Sequence, residues 1–347
     1  MNDYQGRKRI SKAVTMPADT SASSDADANS GYDRDAIVAS MTRYYTLLSK
    51  MVSIDLDDIA LPHNGRRPDS KIPLAKLRRL GFNDRMIDFV RHVPFVLNGL
   101  VPVFPDTDVL IYYHSHFDRY PEEDYQRDDP IMANMWPRDE KMTEGVLPLS
   151  QQLHSAQYGT WWMLDTNNGE LTPCSGLITR PPDEVPEDEQ WRSSRPVPAV
   201  AYFDGLCEDL KSLRLIPLTN DTNNPYWEMW EDVNEKEYPN HYLLPWIKEA
   251  KAIYHQCHWP DLRNFQRAKC RRLLIDMRRR EKEYYDEIDK EKRREQQLAS
   301  GEESVDRAQT PPVPKPESPS RRAPWGTESI EMQTKSDGMF VTTTFKI

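Results

Sequence analysis

Two histidines and an aspartate stand at alternate positions directly after a predicted β-strand. His114, His116 and Asp118 follow the β-branched and aromatic run over residues 108–113. Alternate residues at a strand end project to the same side, so two imidazoles can converge on one metal ion with a carboxylate on the next. A metal-dependent hydrolase is therefore one alternative function. The residue after Asp118 is Arg119, where the metallo-β-lactamase pattern has another histidine, so we favour a polar strand-to-loop corner.

Cysteine-based and phosphate-binding chemistry has weaker support. His255, Cys257 and His258 lie close together, but a structural zinc site needs four ligands, and no second pair follows at the usual spacing. The chain has no G-x-S-x-G nucleophile motif and no G-x-x-x-x-G-K phosphate loop. We therefore expect no cofactor, and we favour a protein without catalytic activity.

Arginines cluster in the last third of the chain. Residues 267–295 hold twelve bases and eight acids, whereas the whole chain carries a net charge of −10. Nucleic-acid binding through phosphate contacts is therefore a second alternative. Its candidate residues are Arg271, Arg272, Arg278, Arg279 and Arg280. The interleaved Asp276, Glu281 and Glu283 favour ion pairs along a solvated helix instead, so we do not expect nucleic acid to be the partner.

Aromatic residues supply the candidates for a protein-binding surface. Trp161 and Asp165 fall in a predicted hairpin, and Trp227 and Trp230 follow the polar residues 223–225. Aromatic residues contribute disproportionately to binding energy at protein interfaces. We predict a groove near Trp161, Asp165 and Trp230, with Trp227 on its rim, as the surface that binds another protein.

The spacing of apolar residues predicts both helices and strands around these candidates. Asn83 is predicted to cap a helix, Gly81 to end the preceding one, and Asn168-Gly169 to turn a β-hairpin. The predicted helices cover residues 33–51, 74–80, 84–92, 203–213, 242–258 and 261–297. The predicted strands cover residues 108–113, 160–164 and 198–202, with a second hairpin strand through Leu171. This mixture predicts an α+β fold with a mainly antiparallel sheet and flanking helices.

Composition divides the chain into four parts. Residues 1–31 and 300–347 are polar, the latter also proline-rich, and both are predicted to be disordered tails. Between them we predict an α+β domain over residues 33–260 and a charged long helix over residues 261–299. The apolar stripe of that helix ends at Ile288, so the remainder is expected to protrude into solvent.

The C-terminal tail carries short recognition patterns. The segment that begins at Pro316 and ends at Arg321 fits the P-x-x-P-x-R ligand of SH3-type domains, and Ser318-Pro319 fits a proline-directed phosphorylation site. Residues 339–345 have strand propensity and are expected to dock on a sheet edge. No stretch approaches the roughly 20 apolar residues of a membrane helix. We therefore expect no membrane partner and a location in the cytosol or the nucleus.

Several short motifs follow one another between residues 70 and 215. They are Leu80-Gly81-Phe82, Asp88-Phe89-Val90, Asn98-Gly99, Trp136-Pro137, Leu147-Pro148-Leu149, Trp162-Met163-Leu164-Asp165-Thr166, Gly169-Glu170 and Tyr202-Phe203-Asp204 with Leu210. This order resembles the SUKH superfamily of fungal cell-wall-synthesis regulators and bacterial toxin-immunity proteins. The resemblance implies an α+β fold and a non-catalytic protein-binding or regulatory module, with no catalytic residue to carry over. Its partner would be another protein, which the sequence does not identify.

Overall fold

The computed structural model describes residues 31–97, 101–113, 143–152, 159–175, 191–192, 194–219, 228–299, 330–336 and 339–345. Some sequence predictions fall outside these residues. They concern the N-terminal tail up to residue 30, His114, His116, Asp118, Trp227, and the SH3-type motif between Pro316 and Arg321. The chain forms two compact units, of which the first ends at Ile288 and the second begins at Asp289.

The described residues combine helices with antiparallel strands, which confirms the predicted α+β class. The helices are α1 (Arg34–Lys50), α2 (Leu74–Arg79), α3 (Asp84–His92), α4 (Ala199–Lys211), α5 (Leu244–Gln256) and α6 (Arg267–Ala299). The strands of the first unit are β1 (Ile59–Ala60), β2 (Phe95–Val96), β3 (Thr107–Val109), β4 (Val146–Pro148), β5 (Ser150–Gln152), β6 (Thr160–Asp165), β7 (Glu170–Ser175), β8 (Val197–Pro198), β9 (Leu215–Pro217) and β10 (Met229–Glu231). The second unit has β11 (Ile330–Ser336) and β12 (Met339–Phe345).

Local signals fix several element boundaries where the sequence predicts them. The Asp33 carboxylate accepts a hydrogen bond from the Ala36 N–H at 3.0 Å, which caps α1. Asn83 caps α3 in the same way, because its side-chain oxygen accepts from the Met86 N–H at 3.0 Å. Gly81 lies just beyond α2 with a φ of +89°, a left-handed conformation that favours glycine. The predicted starts and stops of these helices are thereby confirmed.

The main sheet has the order β4-β6-β7-β8, with every pairing antiparallel. β4 and β5 follow each other with only Leu149 between them, and β5 pairs with β3. The Leu149 N–H donates to the Trp162 carbonyl at 2.8 Å, and the Leu110 N–H donates to the Leu149 carbonyl at 3.1 Å. The β6–β7 hairpin confirms the prediction around Asn168-Gly169, where Gly169 has a φ of +77°.

Trp162 lies at the centre of the core between the sheet and two helices. It is fully buried, and its ring contacts Tyr44 of α1 with centroids 6.2 Å apart and Phe203 of α4 with centroids 5.3 Å apart. The rings of Phe104 and Tyr202 meet it edge-on, each at 6.1 Å. These perpendicular arrangements are the favoured geometry of aromatic pairs. One indole thereby joins the sheet to both helices that cover it.

Arg67 ties a second set of segments together from inside the protein. Only 3% of the residue is exposed, and its guanidinium donates to the Ala60 carbonyl at 2.7 Å, to the Val93 carbonyl and to the Tyr113 hydroxyl at 2.8 Å. The same group lies over the Phe95 ring, 4.2 Å from its centroid. Val93 follows α3, so the cation also meets the negative end of a helix dipole.

Two predicted strands differ from the structure. The strand predicted over residues 198–202 is wrong, because β8 ends at Pro198 and α4 begins at Ala199. Ala199, Phe203 and Leu210 all lie on the buried face of α4, and this helical burial outweighs the strand propensity of the local residues. The strand predicted over residues 108–113 is shorter, since β3 covers Thr107–Val109.

The second unit contains the end of α6 and the hairpin of β11 and β12. Residues 289–297 are exposed, as the loss of the apolar stripe predicts. The strand predicted over residues 339–345 is confirmed, but it pairs with β11, a strand that lies within the predicted disordered tail. The sequence signal for this hairpin is Asp337-Gly338, a dipeptide that favours two-residue hairpin turns.

A buried hydroxyl network connects β3, β5 and β6. The Ser150 hydroxyl donates to the Thr160 carbonyl and accepts from the Trp162 N–H, each at 2.8 Å. The Thr107 hydroxyl oxygen accepts from the Thr160 N–H at 2.8 Å. These side chains supply partners for backbone groups where the strand ladder is interrupted at Leu149.

We expect Ser150→Ala to lower the free energy of unfolding by about 1–3 kcal/mol, because two backbone groups inside the sheet lose their partner. Ser212→Ala is the matched control, since it removes an exposed hydroxyl bonded to the Glu208 carbonyl at 2.7 Å. That control is expected to change stability by about 0.5 kcal/mol or less. Urea denaturation measures both, and equal losses would contradict the role given to Ser150.

Asp108 of β3 gives the fold a specific pH dependence. Burial raises the pKa of its carboxyl to about 7, although the Val109 N–H, which donates to it at 2.7 Å, acts in the opposite direction. Between pH 4 and 7 the folded state therefore keeps a proton that the unfolded chain has lost. The stability that protonated Asp108 contributes is therefore complete below pH 4 and decreases as the pH rises from 4 to 7.

Asp108→Asn should remove this pH dependence, because the amide resembles the protonated carboxyl in shape and charge. We expect the stability difference between the variant and the original chain to widen by about 2–3 kcal/mol from pH 5 to pH 8, in favour of the variant. Chemical denaturation at both pH values measures the difference. An unchanged gap between the two proteins across this range would show that Asp108 titrates normally.

Candidate functional site

The tryptophans predicted to border a groove are buried in the structure. Trp161 is 6% exposed and Trp230 is 2% exposed, so the prediction that they form an accessible surface is wrong. The Trp230 indole donates to the Glu228 carboxylate at 3.0 Å, and the Arg278 guanidinium lies 5.0 Å from the Trp230 ring centroid. Tertiary packing of β10 against α6 covers this ring, which the local sequence does not reveal.

Asp165 has a structural role at the end of β6. Its carboxylate accepts a hydrogen bond from the Asn167 N–H at 2.8 Å, which stabilises the turn between β6 and β7. Asp165 and Glu170 are also opposite each other in the backbone pairing of β6 with β7. The fourth predicted binding residue, Trp227, lies outside the described residues.

Three of the arginines proposed to bind nucleic acid are held by acids. Arg279 pairs with Asp276 at 3.2 Å. Arg280 pairs with Glu249 of α5. Arg278 is only 15% exposed and pairs with both Glu228, at 2.7 Å, and Glu281. Arg271 is half-buried and Arg272 is exposed. Since most of these charges are already compensated, this face of α6 is a weak site for phosphates.

No metal-binding cluster is present in the part of the chain that the structure describes. No group of three or more His, Cys, Asp or Glu side chains there is arranged to hold a metal ion. The predicted trio of His114, His116 and Asp118 falls outside that part, so the metallohydrolase alternative stays a prediction.

A row of aromatic rings reaches the surface where α5 packs against α6. We call it the aromatic surface. Its members are His241, Tyr242, Trp246, Tyr284 and Tyr285. Tyr284 is 53% exposed, and the other four side chains are partly exposed.

Successive rings of the aromatic surface touch one another. His241 stacks on Tyr242 with centroids 4.9 Å apart, and Tyr242 meets Tyr285 edge-on at 6.2 Å. Tyr285 contacts Tyr284 at 5.2 Å, and Tyr284 contacts Trp246 at 6.0 Å. The rings therefore form a continuous apolar and aromatic strip rather than isolated exposed side chains.

Hydrogen bonds and core contacts hold this strip in place. The Tyr285 hydroxyl donates to the Tyr242 carbonyl at 2.9 Å, and the Trp246 side chain is hydrogen-bonded to the same hydroxyl. Burial raises the pKa of Tyr285, so the hydroxyl remains a proton donor at neutral pH. Tyr242 and Trp246 also pack against the buried hydrophobic core. These contacts restrict the positions of the rings.

Charged pairs border the aromatic surface. Glu249 lies three residues after Trp246 on α5, and Arg280 lies four residues before Tyr284 on α6, so their ion pair is one helical turn from both rings. Lys248 pairs with Glu235 at 2.7 Å. An apolar centre with a charged border is the usual organisation of a protein interface.

The sequence contains a signal for this surface, a set of closely spaced aromatic residues. Tyr242 and Trp246 are four residues apart, and Tyr284 and Tyr285 are adjacent on a helix that is otherwise becoming polar. By their spacing alone, these aromatics would belong to the core or to the apolar stripe of a helix. Only the packing of α5 on α6 leaves one edge of the group in solvent.

An open concavity lies between α1 and α4. It is an open groove of ≈ 670 Å³, lined among others by Arg43, Asp204, Glu208 and Lys211. Arg43 pairs with Asp204 and Lys211 with Glu208, each at 2.7 Å. These ion pairs leave the groove with little uncompensated charge to attract a ligand.

Comparison of the chain with protein-family models, with curated proteins and with solved structures finds no match. Among the residues that the structure describes, none of the helices is long and apolar enough to cross a membrane. The geometry of the aromatic surface is therefore the main basis for a functional assignment.

Arg278→Gln is expected to lower the free energy of unfolding by about 3 kcal/mol, because the nearly buried Glu281 carboxylate loses its cationic partner. Arg279→Gln is the matched control, since its ion pair with Asp276 is exposed and is worth about 1 kcal/mol or less. Urea denaturation compares the two variants. Equal stability of both would contradict a structural role for Arg278.

Proposed function

We propose that this chain is a non-catalytic protein-binding or regulatory module and that the aromatic surface on α5 and α6 is where it binds another protein. The observation that carries the proposal is a contiguous strip of five ordered aromatic side chains in which Tyr284 is 53% exposed. Soluble proteins seldom leave a connected aromatic patch in water unless it meets a partner.

Physical chemistry favours binding at this strip. Aromatic side chains bring a large apolar area and a polar edge, and they lose little rotational freedom on association. The hydrogen bonds of Tyr285 to Tyr242 and Trp246 fix the rings beforehand, so less entropy is lost when a partner orders them. The complementary partner is a protein that presents an apolar segment flanked by charges of both signs, matching the pair of Arg280 and Glu249.

The resemblance to SUKH-type proteins supports the same class of function, since it implies protein binding without catalysis. It rests on short motifs over residues 70–215, whereas the aromatic surface lies on α5 and α6, beyond that region. The surface would therefore be a feature added to the SUKH-like part. A location in the cytosol or nucleus belongs to this proposal, as does an SH3-type partner for the segment from Pro316 to Arg321.

The metal-dependent hydrolase remains the competing function, with His114, His116 and Asp118 as ligands. Elemental analysis of purified protein separates the two proposals. Stoichiometric zinc or manganese that is lost in His116→Ala would favour the hydrolase. Nucleic-acid binding is the weaker competitor because Arg278, Arg279 and Arg280 already have acidic partners.

Tyr284→Ala in the full chain tests the proposed surface. We expect the variant to lose its specific partner, with affinity at least about 30-fold weaker, because it removes a central and exposed ring. The free energy of unfolding should change by about 1 kcal/mol or less, since the side chain is half in solvent. Quantitative affinity capture from cells of the source organism identifies the partner, and calorimetric titration with the purified partner gives the affinity.

Leu262→Ala is the matched control, because Leu262 is also 53% exposed but does not belong to the aromatic surface. It should keep the partner at full affinity. If Tyr284→Ala retains the partner, or if both variants lose it equally, the aromatic surface is not the binding site.

A further inference from the structure

Two of the four cysteines lie against each other at the junction of α5 and α6. Cys257 follows the last residue of α5, and Cys270 is the fourth residue of α6. Their thiols are hydrogen-bonded to one another, and both residues are fully buried. All four cysteines are free thiols, and the other two, Cys174 and Cys207, belong to β7 and α4.

The backbone around this pair is fixed by hydrogen bonds through one residue. The Gln266 N–H donates to the Cys257 carbonyl at 2.9 Å, and the Cys270 N–H donates to the Gln266 carbonyl at 2.9 Å. The Phe265 ring stacks on Tyr254 with centroids 6.1 Å apart and an interplanar angle of 8°. These contacts place the two cysteines next to each other where α5 meets α6.

We propose that Cys257 and Cys270 are a disulfide-forming pair that cross-links the end of α5 to the first turn of α6 when the protein meets hydrogen peroxide. This inference does not depend on the proposed function, although the same two helices carry the aromatic surface. The cross-link would hold both helices of that surface in their present arrangement.

The reaction is a two-electron oxidation of the pair. One thiolate attacks an oxygen of peroxide, the O–O bond breaks, and a sulfenic acid and one water molecule form. The second thiol then attacks the sulfenic sulfur, which forms the S–S bond and releases a second water. Two thiols are oxidised and one peroxide is reduced to two waters.

Burial controls how fast this oxidation proceeds. Loss of solvent, together with the neighbouring Cys257 thiol, raises the pKa of Cys270 above the usual range, so the reactive thiolate is scarce in the closed structure. The pair therefore reacts when the 257–270 segment opens transiently. Once the disulfide has formed, it closes the loop between residues 257 and 270. The unfolded chain then has less conformational entropy, which favours the folded state.

The experiment treats the full chain with hydrogen peroxide, quenches the reaction, unfolds the protein and alkylates the remaining thiols. We expect alkylated cysteines to fall from four to two, with a peptide that links Cys257 to Cys270 in the non-reduced digest. Cys207→Ser is the matched control, and it should still form the link. Cys257→Ser and Cys270→Ser should each abolish it.

A second measurement uses only the original chain, so it does not depend on whether a cysteine variant folds. The oxidised full chain should unfold about 5 °C higher than the reduced chain, and dithiothreitol should reverse the shift. A linked peptide with this reversible shift supports the proposal. The proposal fails if Cys174 or Cys207 is oxidised first, if the pair stays reduced while other residues oxidise, or if the link forms without raising the unfolding temperature.

Discussion

Burial of Trp162 is the interaction on which the first unit of this protein depends. Its indole packs against the Tyr44 ring of α1 and the Phe203 ring of α4, so one side chain joins the sheet to both helices. The hydroxyls of Ser150 and Thr107 supply hydrogen-bond partners for the backbone groups of Thr160 and Trp162 near the irregular strand.

The two outer helices show how similar residue types divide between structure and surface. Trp230 and Arg278 look like exposed recognition residues in the sequence, yet they pack on each other and share the carboxylate of Glu228. Trp246 and Tyr284 contact each other at the edge of the same helix pair and reach solvent. Exposure rather than residue type therefore separates a core tryptophan from a candidate binding residue.

The pair of helices α5 and α6 carries three features. The two helices carry the aromatic surface, and an ion pair between Arg280 and Glu249 links them. Their junction holds the two contacting thiols. A partner that binds the aromatic rings and an oxidant that closes the disulfide would both act on the same helix–helix packing. This gives the protein a physical route by which a change at the thiols affects the binding surface.

The sequence by itself determined the features that depend on a few neighbouring residues: the start of α1 near residue 33, the cap at Asn83, the Asn168-Gly169 hairpin and the α+β class. Each follows from local hydrogen bonding or from the φ values that particular residues accept. Tertiary structure alone decided that Trp161 and Trp230 are buried, that Arg278 meets Glu228 fifty positions away, and that Cys257 lies against Cys270. Burial and long-range pairing depend on how elements pack together, and residue spacing along the chain carries no direct record of that packing.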